Sequence, residues 1–245
     1  AVIKKACGHN ISMSVRLSSV AATRTVWRRA AAVCFDVDST VCNEEGIDVL
    51  AEICGAGDAV AELTRNAMGG SMPFHEALEA RLALMTPSLA QVDEACEAVS
   101  LSPRVDDLVT ALSERGTAVF LVSGGFRQMI NPIARTLGIP EDRVYANNLL
   151  FNERGEYAGF DPNEPTARAG GKARVVAQLK ASYGLSPIVM VGDGATDMEA
   201  RDGTEEGADA FVGFGGVVVR EEVEKGADWF VMSHAELIAE LEVTH

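Results

Sequence analysis

The sequence predicts an α/β fold: a doubly wound, Rossmann-like parallel sheet with a small inserted helical cap and a β-hairpin insert. Three observations predict it. Short apolar runs alternate with helical patterns along most of the chain. One stretch, 47–99, breaks that alternation with helical patterns alone. The 245 residues include 23 glycines against 8 prolines, a composition suited to many tight strand–helix turns.

The elements follow in order. Residues 32–36 (AVCFD) form a short apolar run ending in an acid, the pattern of a buried strand with a polar group at its C-terminal end. Similar runs recur at 118–122, 144–146, 188–191 and 210–212, and helical patterns lie at 103–115, 126–137, 172–183 and 217–225. Parallel sheets of this kind bind ligands at the carboxyl ends of their strands. Between the first two strands come four helical patterns, 47–54, 59–68, 74–85 and 88–99, punctuated by Gly69-Gly70 and Thr86-Pro87. They read as a cap over the sheet's carboxyl edge. Residues 149–160 hold Asn152-Glu153-Arg154-Gly155 between apolar flanks and predict a hairpin. The expected organisation is a leader at 1–31, a catalytic core at 32–42 and 103–245, and a cap at 43–102.

Charge is unevenly spread. The formal net charge is −15, yet residues 1–35 contain no Asp or Glu and carry Lys4, Lys5, Arg16, Arg24, Arg28 and Arg29 among serines and threonines. An acid-free, Arg/Ser-rich leader has the composition of an organelle transit peptide, with a disordered arm as the other reading. The expected location is the chloroplast stroma, with mitochondrion or cytoplasm as alternatives. The acidic remainder repels a phosphate backbone, so no nucleic-acid partner is expected. No apolar run approaches a membrane span, so no membrane partner is expected. The five cysteines are odd in number and form no C-x-x-C, indicating neither a disulfide framework nor a zinc site.

The strongest chemical signal is Phe35-Asp36-Val37-Asp38-Ser39-Thr40. Residues two apart in extended chain share a side, so Asp36 and Asp38 face one site. Two adjacent like charges require a cation or a proton, and Mg²⁺ meets that need while also neutralising a phosphate oxygen. A calcium loop is excluded because Val41 and Ile47 stand where Gly and Glu are needed. Ser123-Gly124-Gly125 ends a second strand with a hydroxyl and exposed backbone N–H groups suited to phosphate. Gly170-Gly171-Lys172 opens a helix with a cation at its N-terminus. Gly192-Asp193-Gly194-Ala195-Thr196-Asp197 ends a further strand with two acids suited to a hard cation. Together these supply the nucleophile, metal ligands and charge neutralisers of phosphoryl transfer. Arg81 lies on the apolar stripe Phe74, Ala77, Leu78, Met85, where a cation either snorkels or meets an anion.

The ordered set DVDST, SGG, GGK and GDGATD resembles the haloacid-dehalogenase superfamily of phosphotransferases. Within it, EEGIDVLAEICG, NAMGGSMPF, LVSGGFRQMINPIA, EYAGF and VMVGDGATDMEA resemble the phosphoserine phosphatase family, its plant and algal members in particular. The resemblance covers about residues 32–243. It implies a magnesium-dependent hydrolysis of O-phospho-L-serine with Asp36 as nucleophile and Mg²⁺ ligand. It implies that Asp38 binds the metal through its carbonyl and serves as acid and base through its carboxyl. Asp193 then completes the metal ligands and Asp197 supports them. Ser123, Gly124, Gly125, Lys172 and Thr196 surround the phosphoryl group. Glu45 meets the substrate ammonium, Arg81 its carboxylate, and Met68 and Gly69 close over the site. Arg220 lies near the substrate, and residues 201–207 form a surface loop. A homodimer is compatible with the resemblance. Two other readings remain open: phosphoryl transfer or hydrolysis on another small amino-acid or alcohol phosphate, and a non-catalytic serine-sensing module.

Overall fold

The computed structural model describes residues 20–66, 73–202 and 206–243. Six parallel strands form one sheet in the order β3-β2-β1-β6-β7-β8: Val144–Asn147, Ala118–Phe126, Ala32–Phe35, Ile188–Gly192, Ala210–Phe214 and Trp229–Val231. The chain builds outward from β1 in one direction through β2 and β3, then returns to the other side of β1 for β6, β7 and β8. That reversal places a crevice at the carboxyl ends of β1, β2 and β6, where such sheets take ligands.

The central strands read as continuous apolar runs because both faces are covered. Odd positions Val33, Phe35, Val119, Leu121, Val189 and Val191 join one core. That core is shared with helices α6 (Val105–Glu114), α7 (Arg127–Thr136) and α11 (His234–Leu241). Even positions Ala32, Cys34, Phe120, Val122, Ile188 and Met190 join a second core. It is shared with α8 (Gly171–Tyr183), α9 (Ala195–Asp202) and α10 (Glu221–Gly226). The predicted fold class is the observed one.

Four helices, α2 (Gly46–Ile53), α3 (Gly57–Asn66), α4 (Phe74–Met85) and α5 (Leu89–Ala98), intervene between β1 and α6. They enclose their own apolar cluster of Leu50, Val60, Leu78, Leu82 and Val92, which reaches the sheet side through Phe126, Met129 and Leu149. Their two connecting segments run side by side. Cys42 bridges Leu101, and Ser102 Oγ donates to the Thr40 carbonyl at 2.6 Å. The hairpin of β4 (Leu149–Phe151) and β5 (Tyr157–Phe160) packs against this cluster.

Two expectations change. Residues 20–28 form a helix, α1, although they fall within the expected leader. Trp27 is buried, donates to the Leu237 carbonyl at 3.1 Å and meets Trp229 edge-to-face, and Arg28 pairs with Glu240. Glu240, the acid that pairs with both Arg24 and Arg28 of this basic helix, lies at the far end of the chain. Around the expected loop at 201–207, Arg201 and Asp202 complete α9 and Gly207 is buried against the Arg201 carbonyl. Residues 203–205 lie outside the described residues.

Candidate active site

Apart from Arg81, in the middle of α4, the functional side chains are delivered by the ends of elements. β1 delivers Asp36, whose N–H still donates to Val191 on β6 at 2.9 Å. The chain then turns sharply through Val37–Val41, with Ser39 at φ 52°. The Asp36 Oδ1 accepts from Val37 N at 2.8 Å, and the Asp38 Oδ1 accepts from Gly46 N, at the start of α2, at 2.8 Å. Asp38 therefore ties the sheet to the inserted helices.

β2 delivers the Ser123-Gly124-Gly125 segment from within the strand, beyond the apolar run at 118–122. The strand continues to Phe126, but between the pairs Val122↔Tyr145 and Phe126↔Asn147 it advances four residues while β3 advances two. The extra residues bulge toward the crevice. Ser123 Oγ donates to Asp38 Oδ2 at 3.4 Å and accepts from Gly125 N at 2.9 Å.

α8 delivers Lys172 from its first turn. Its Nζ sits 2.7 Å from both Asp36 Oδ2 and Asp197 Oδ1. Burial works against the ammonium, but Asp197 and Asp36 outweigh it and hold its pKa above the usual value. β6 delivers Asp193, and α9, entered directly from that strand, delivers Asp197. The Asp197 Oδ2 accepts from Gly194 N at 2.9 Å. A Cβ on Gly192 would lie 2.3 Å from the Asp197 carboxyl carbon, so only glycine leaves room for that acid.

Arg220 closes the far side. Its Nε donates to Asp193 Oδ2 at 2.8 Å and its Nη2 to Glu45 Oε1 at 3.2 Å, and Glu45 Oε1 also accepts from Ser39 Oγ at 2.9 Å. Glu45 stands just before α2 rather than in its first turn, so it faces the crevice. Arg81 Nε is held by the Ala77 carbonyl at 3.1 Å, and among the described residues the guanidinium forms no ion pair. Burial lowers its pKa, opposed by Asp48 and Glu45.

The acids are crowded. Burial, with Asp36 and Glu45 nearby, raises the Asp38 pKa to about 7. Burial and Asp36 also raise Asp193 and Asp197, against the opposing pull of Arg220 and Lys172. Carboxylate oxygens of Asp36, Asp193 and Asp197 all lie within 4.8 Å of one another. Such a buried oxygen set is a metal-capable centre, since hard cations take this donor type.

A cavity of about 230 Å³ collects these groups. Of the residues expected from sequence, Asp36, Asp38, Glu45, Arg81, Gly124, Gly125, Lys172, Asp193, Thr196 and Arg220 line it. Ser123 and Asp197 stand behind the lining and touch it through Asp38 and Lys172. Met68 and Gly69 lie outside the described residues. Sequence reasoning missed Ile47, Phe74, Leu78 and Thr166, which also line the cavity, and gave Thr40 no role although its hydroxyl reaches Asp193 at 3.5 Å. It also missed Asn147, fully buried at the end of β3. An amide closing an apolar strand is a signal for such a residue, because a buried polar group needs partners.

Among the described residues no helix is long and apolar enough to cross a membrane. Residues 30–201 match the model of the haloacid dehalogenase-like hydrolases. The chain is 54% identical over 219 residues to "Phosphoserine phosphatase, chloroplastic" of Arabidopsis thaliana, a match covering 89% of this chain and 74% of that one. It is 52% identical to the phosphoserine phosphatase of Homo sapiens, covering 89% and 96%. A solved phospho-aspartyl intermediate analogue of a phosphoserine phosphatase superposes with a TM-score of 0.73 at 26% identity, covering 86% and 98%. The structure of DsGPDH of Dunaliella salina superposes at 0.79 with 38% identity and covers 90% of this chain, which spans 37% of that longer one. The chain belongs to the haloacid dehalogenase-like hydrolases and, within them, to the phosphoserine phosphatase family.

Proposed function

We propose that this chain hydrolyses O-phospho-L-serine to L-serine and phosphate through a phospho-aspartate on Asp36. One observation carries the reading: the strand-end carboxylate, the buried lysine and the glycine bulge face one cavity, on a chain more than half identical to phosphoserine phosphatases from plant and human.

In this reading Asp36 attacks phosphorus in line with the seryl oxygen. Asp38, with its pKa near neutrality, donates a proton to the departing oxygen and then takes one from the water that cleaves the acyl phosphate. Lys172 and the Gly124-Gly125 backbone stabilise the charge that develops on the equatorial oxygens. Asp36 and Asp193 would hold Mg²⁺, together with the Asp38 carbonyl, with Asp197 supporting them from behind. When bound, Mg²⁺ neutralises phosphate charge and offsets the repulsion among these acids. On the other wall, Glu45 and Arg81 offer an anion and a cation to a zwitterionic head group, while Ile47, Phe74 and Leu78 exclude water. The helical segment 43–102 acts as the cap.

Location in the chloroplast is supported by the name of the Arabidopsis relative and by the Arg/Ser-rich N-terminus. Supply of serine from its phosphate ester is the role that follows. The homodimer rests on the family resemblance, and sedimentation velocity tests it.

The test is phosphate release from O-phospho-L-serine beside O-phosphothreonine, phosphoethanolamine and glycerol phosphate, with and without EDTA. Preference for phosphoserine, silenced by chelation, is expected. Equal rates on phosphoethanolamine and glycerol phosphate would contradict the head-group assignment.

A further inference from the structure

The bulge that presents Gly124 and Gly125 to the cavity is held by a buried side chain outside it. Asn147, at the end of β3, is fully buried and Thr166 nearly so. The Asn147 Nδ2 donates to the Gly124 carbonyl at 2.7 Å. Its Oδ1 accepts from Thr166 Oγ at 2.9 Å; the Gly124 carbonyl can only accept, so it is the Nδ2 end that must face the glycine, and Thr166 satisfies the other end. Thr166 belongs to the segment leading into α8, five residues before Gly171 and six before Lys172. A second brace sits beside it: Arg127 donates to the Val144 carbonyl at 2.6 Å and to Glu164 at 2.9 Å.

The chemistry of the peptide unit makes this contact directional. In a trans peptide the carbonyl and the following N–H point opposite ways. Holding the Gly124 carbonyl on Asn147 therefore turns the Gly125 N–H the other way, toward Ser123 Oγ at 2.9 Å. Neither flanking residue has a Cβ, so little in the backbone itself prevents this peptide from flipping. A flipped peptide would turn a carbonyl oxygen toward Ser123 and the cavity beside it, where an anion would be repelled, and would break the bond that ties the glycines to Ser123.

We propose that Asn147, supported by Thr166, is a positioning residue that locks the Gly124–Gly125 peptide with its N–H on Ser123 and its carbonyl turned away from the anion, and keeps it in register with Lys172. The inference rests on the reading of this cavity as a phosphate site, and it extends that reading to a residue that touches neither substrate nor metal. Losing a buried hydrogen bond of this kind costs enough to change affinity by about tenfold or more.

The experiment measures binding of inorganic phosphate by calorimetry, turnover of O-phospho-L-serine and thermal midpoint for the full chain and three variants. Asn147→Leu is expected to weaken phosphate binding and to lower kcat/KM by about tenfold or more, through KM as well as kcat. Thr166→Val is expected to give a smaller loss in the same direction, and Thr166→Ser to recover most of it. Wild-type phosphate affinity in a folded Asn147→Leu would overturn the proposal even if its melting point dropped. Should that variant not fold, Thr166→Val with unchanged phosphate affinity overturns it, and weakened affinity restored by serine supports it. Phosphate binding is read without any choice of ester. Failure of phosphoserine turnover in the wild type would therefore sink the substrate assignment alone.

Discussion

The two walls of the cavity are built on different principles. The sheet wall is over-determined. Lys172 touches two acids, Asp193 is met by Arg220, and both Asp197 oxygens are taken. Each group leaves a strand or helix end fixed by a buried parallel ladder. The helical wall is sparse: Glu45 is shared with Arg220, and among the described residues Arg81 is tied only to its own helix. A dense, preorganised wall suits chemistry common to many phosphate esters, because stabilising a transition state requires dipoles that need not rearrange. A sparse wall leaves charges available for the part of the substrate that differs between esters. Rate should therefore reside in the first wall and head-group selection in the second.

The largest effect that tests this division is Lys172→Met. It removes the cation between Asp36 and Asp197, and kcat should fall by about 10²- to 10³-fold, as for other central charge-stabilising donors. The fold should also lose about 3 kcal/mol, the cost of leaving buried carboxylates unpaired. Steady-state kinetics and urea denaturation measure both. Next comes Arg81→Ala. KM for O-phospho-L-serine should rise about 10- to 100-fold, the loss of one charge-assisted contact, while kcat changes less. Phosphoethanolamine, which lacks the carboxylate, should be little affected. A fall in kcat as large as that of Lys172→Met would erase the distinction between the walls.

The effect smallest on turnover lies at the seam between the halves. His234 is fully buried, stacks on Phe214 at 4.4 Å and contacts the Pro103 carbonyl at 3.2 Å, where the chain returns from the inserted helices. Burial lowers its pKa to about 4. Between its unfolded value near 6.5 and that folded value, only the unfolded chain binds the proton, so stability is full above pH 6.5 and falls as pH drops toward 4. The stability gap between wild type and His234→Gln should shrink by about 3 kcal/mol over that interval. A gap that stays constant or widens on acidification would show that the imidazole is not held neutral.

How much of this was legible in the sequence depends on how local the determining interactions are. β1, β6 and the hairpin follow from apolar runs and turn residues, and α4 runs from Phe74 to Met85 as its periodicity indicates. The strand-end acids could be read because an acid after a buried strand has few innocuous explanations. Helix α1 could not, since Trp27 and Arg28 find their partners more than 200 residues away. Helix α9 was hidden because 192–197 read as the end of a strand, whereas the acid at 197 sits in the first helical turn. The contact of Arg220 with Asp193 and Glu45 was beyond spacing arguments, because it joins β6, the loop before α10 and the start of α2. Asn147 carried a local signal, the amide that closes β3, but its partners on β2 and on the approach to α8 lay beyond the same arguments.

Covalent capture by Asp36 tests the account most directly. Rapid quenching with phosphorus-labelled O-phospho-L-serine should place label on the peptide containing Asp36, in a form released by hydroxylamine, with none in Asp36→Asn. Labelling of another residue, or phosphate release by Asp36→Asn at the wild-type rate, would contradict it.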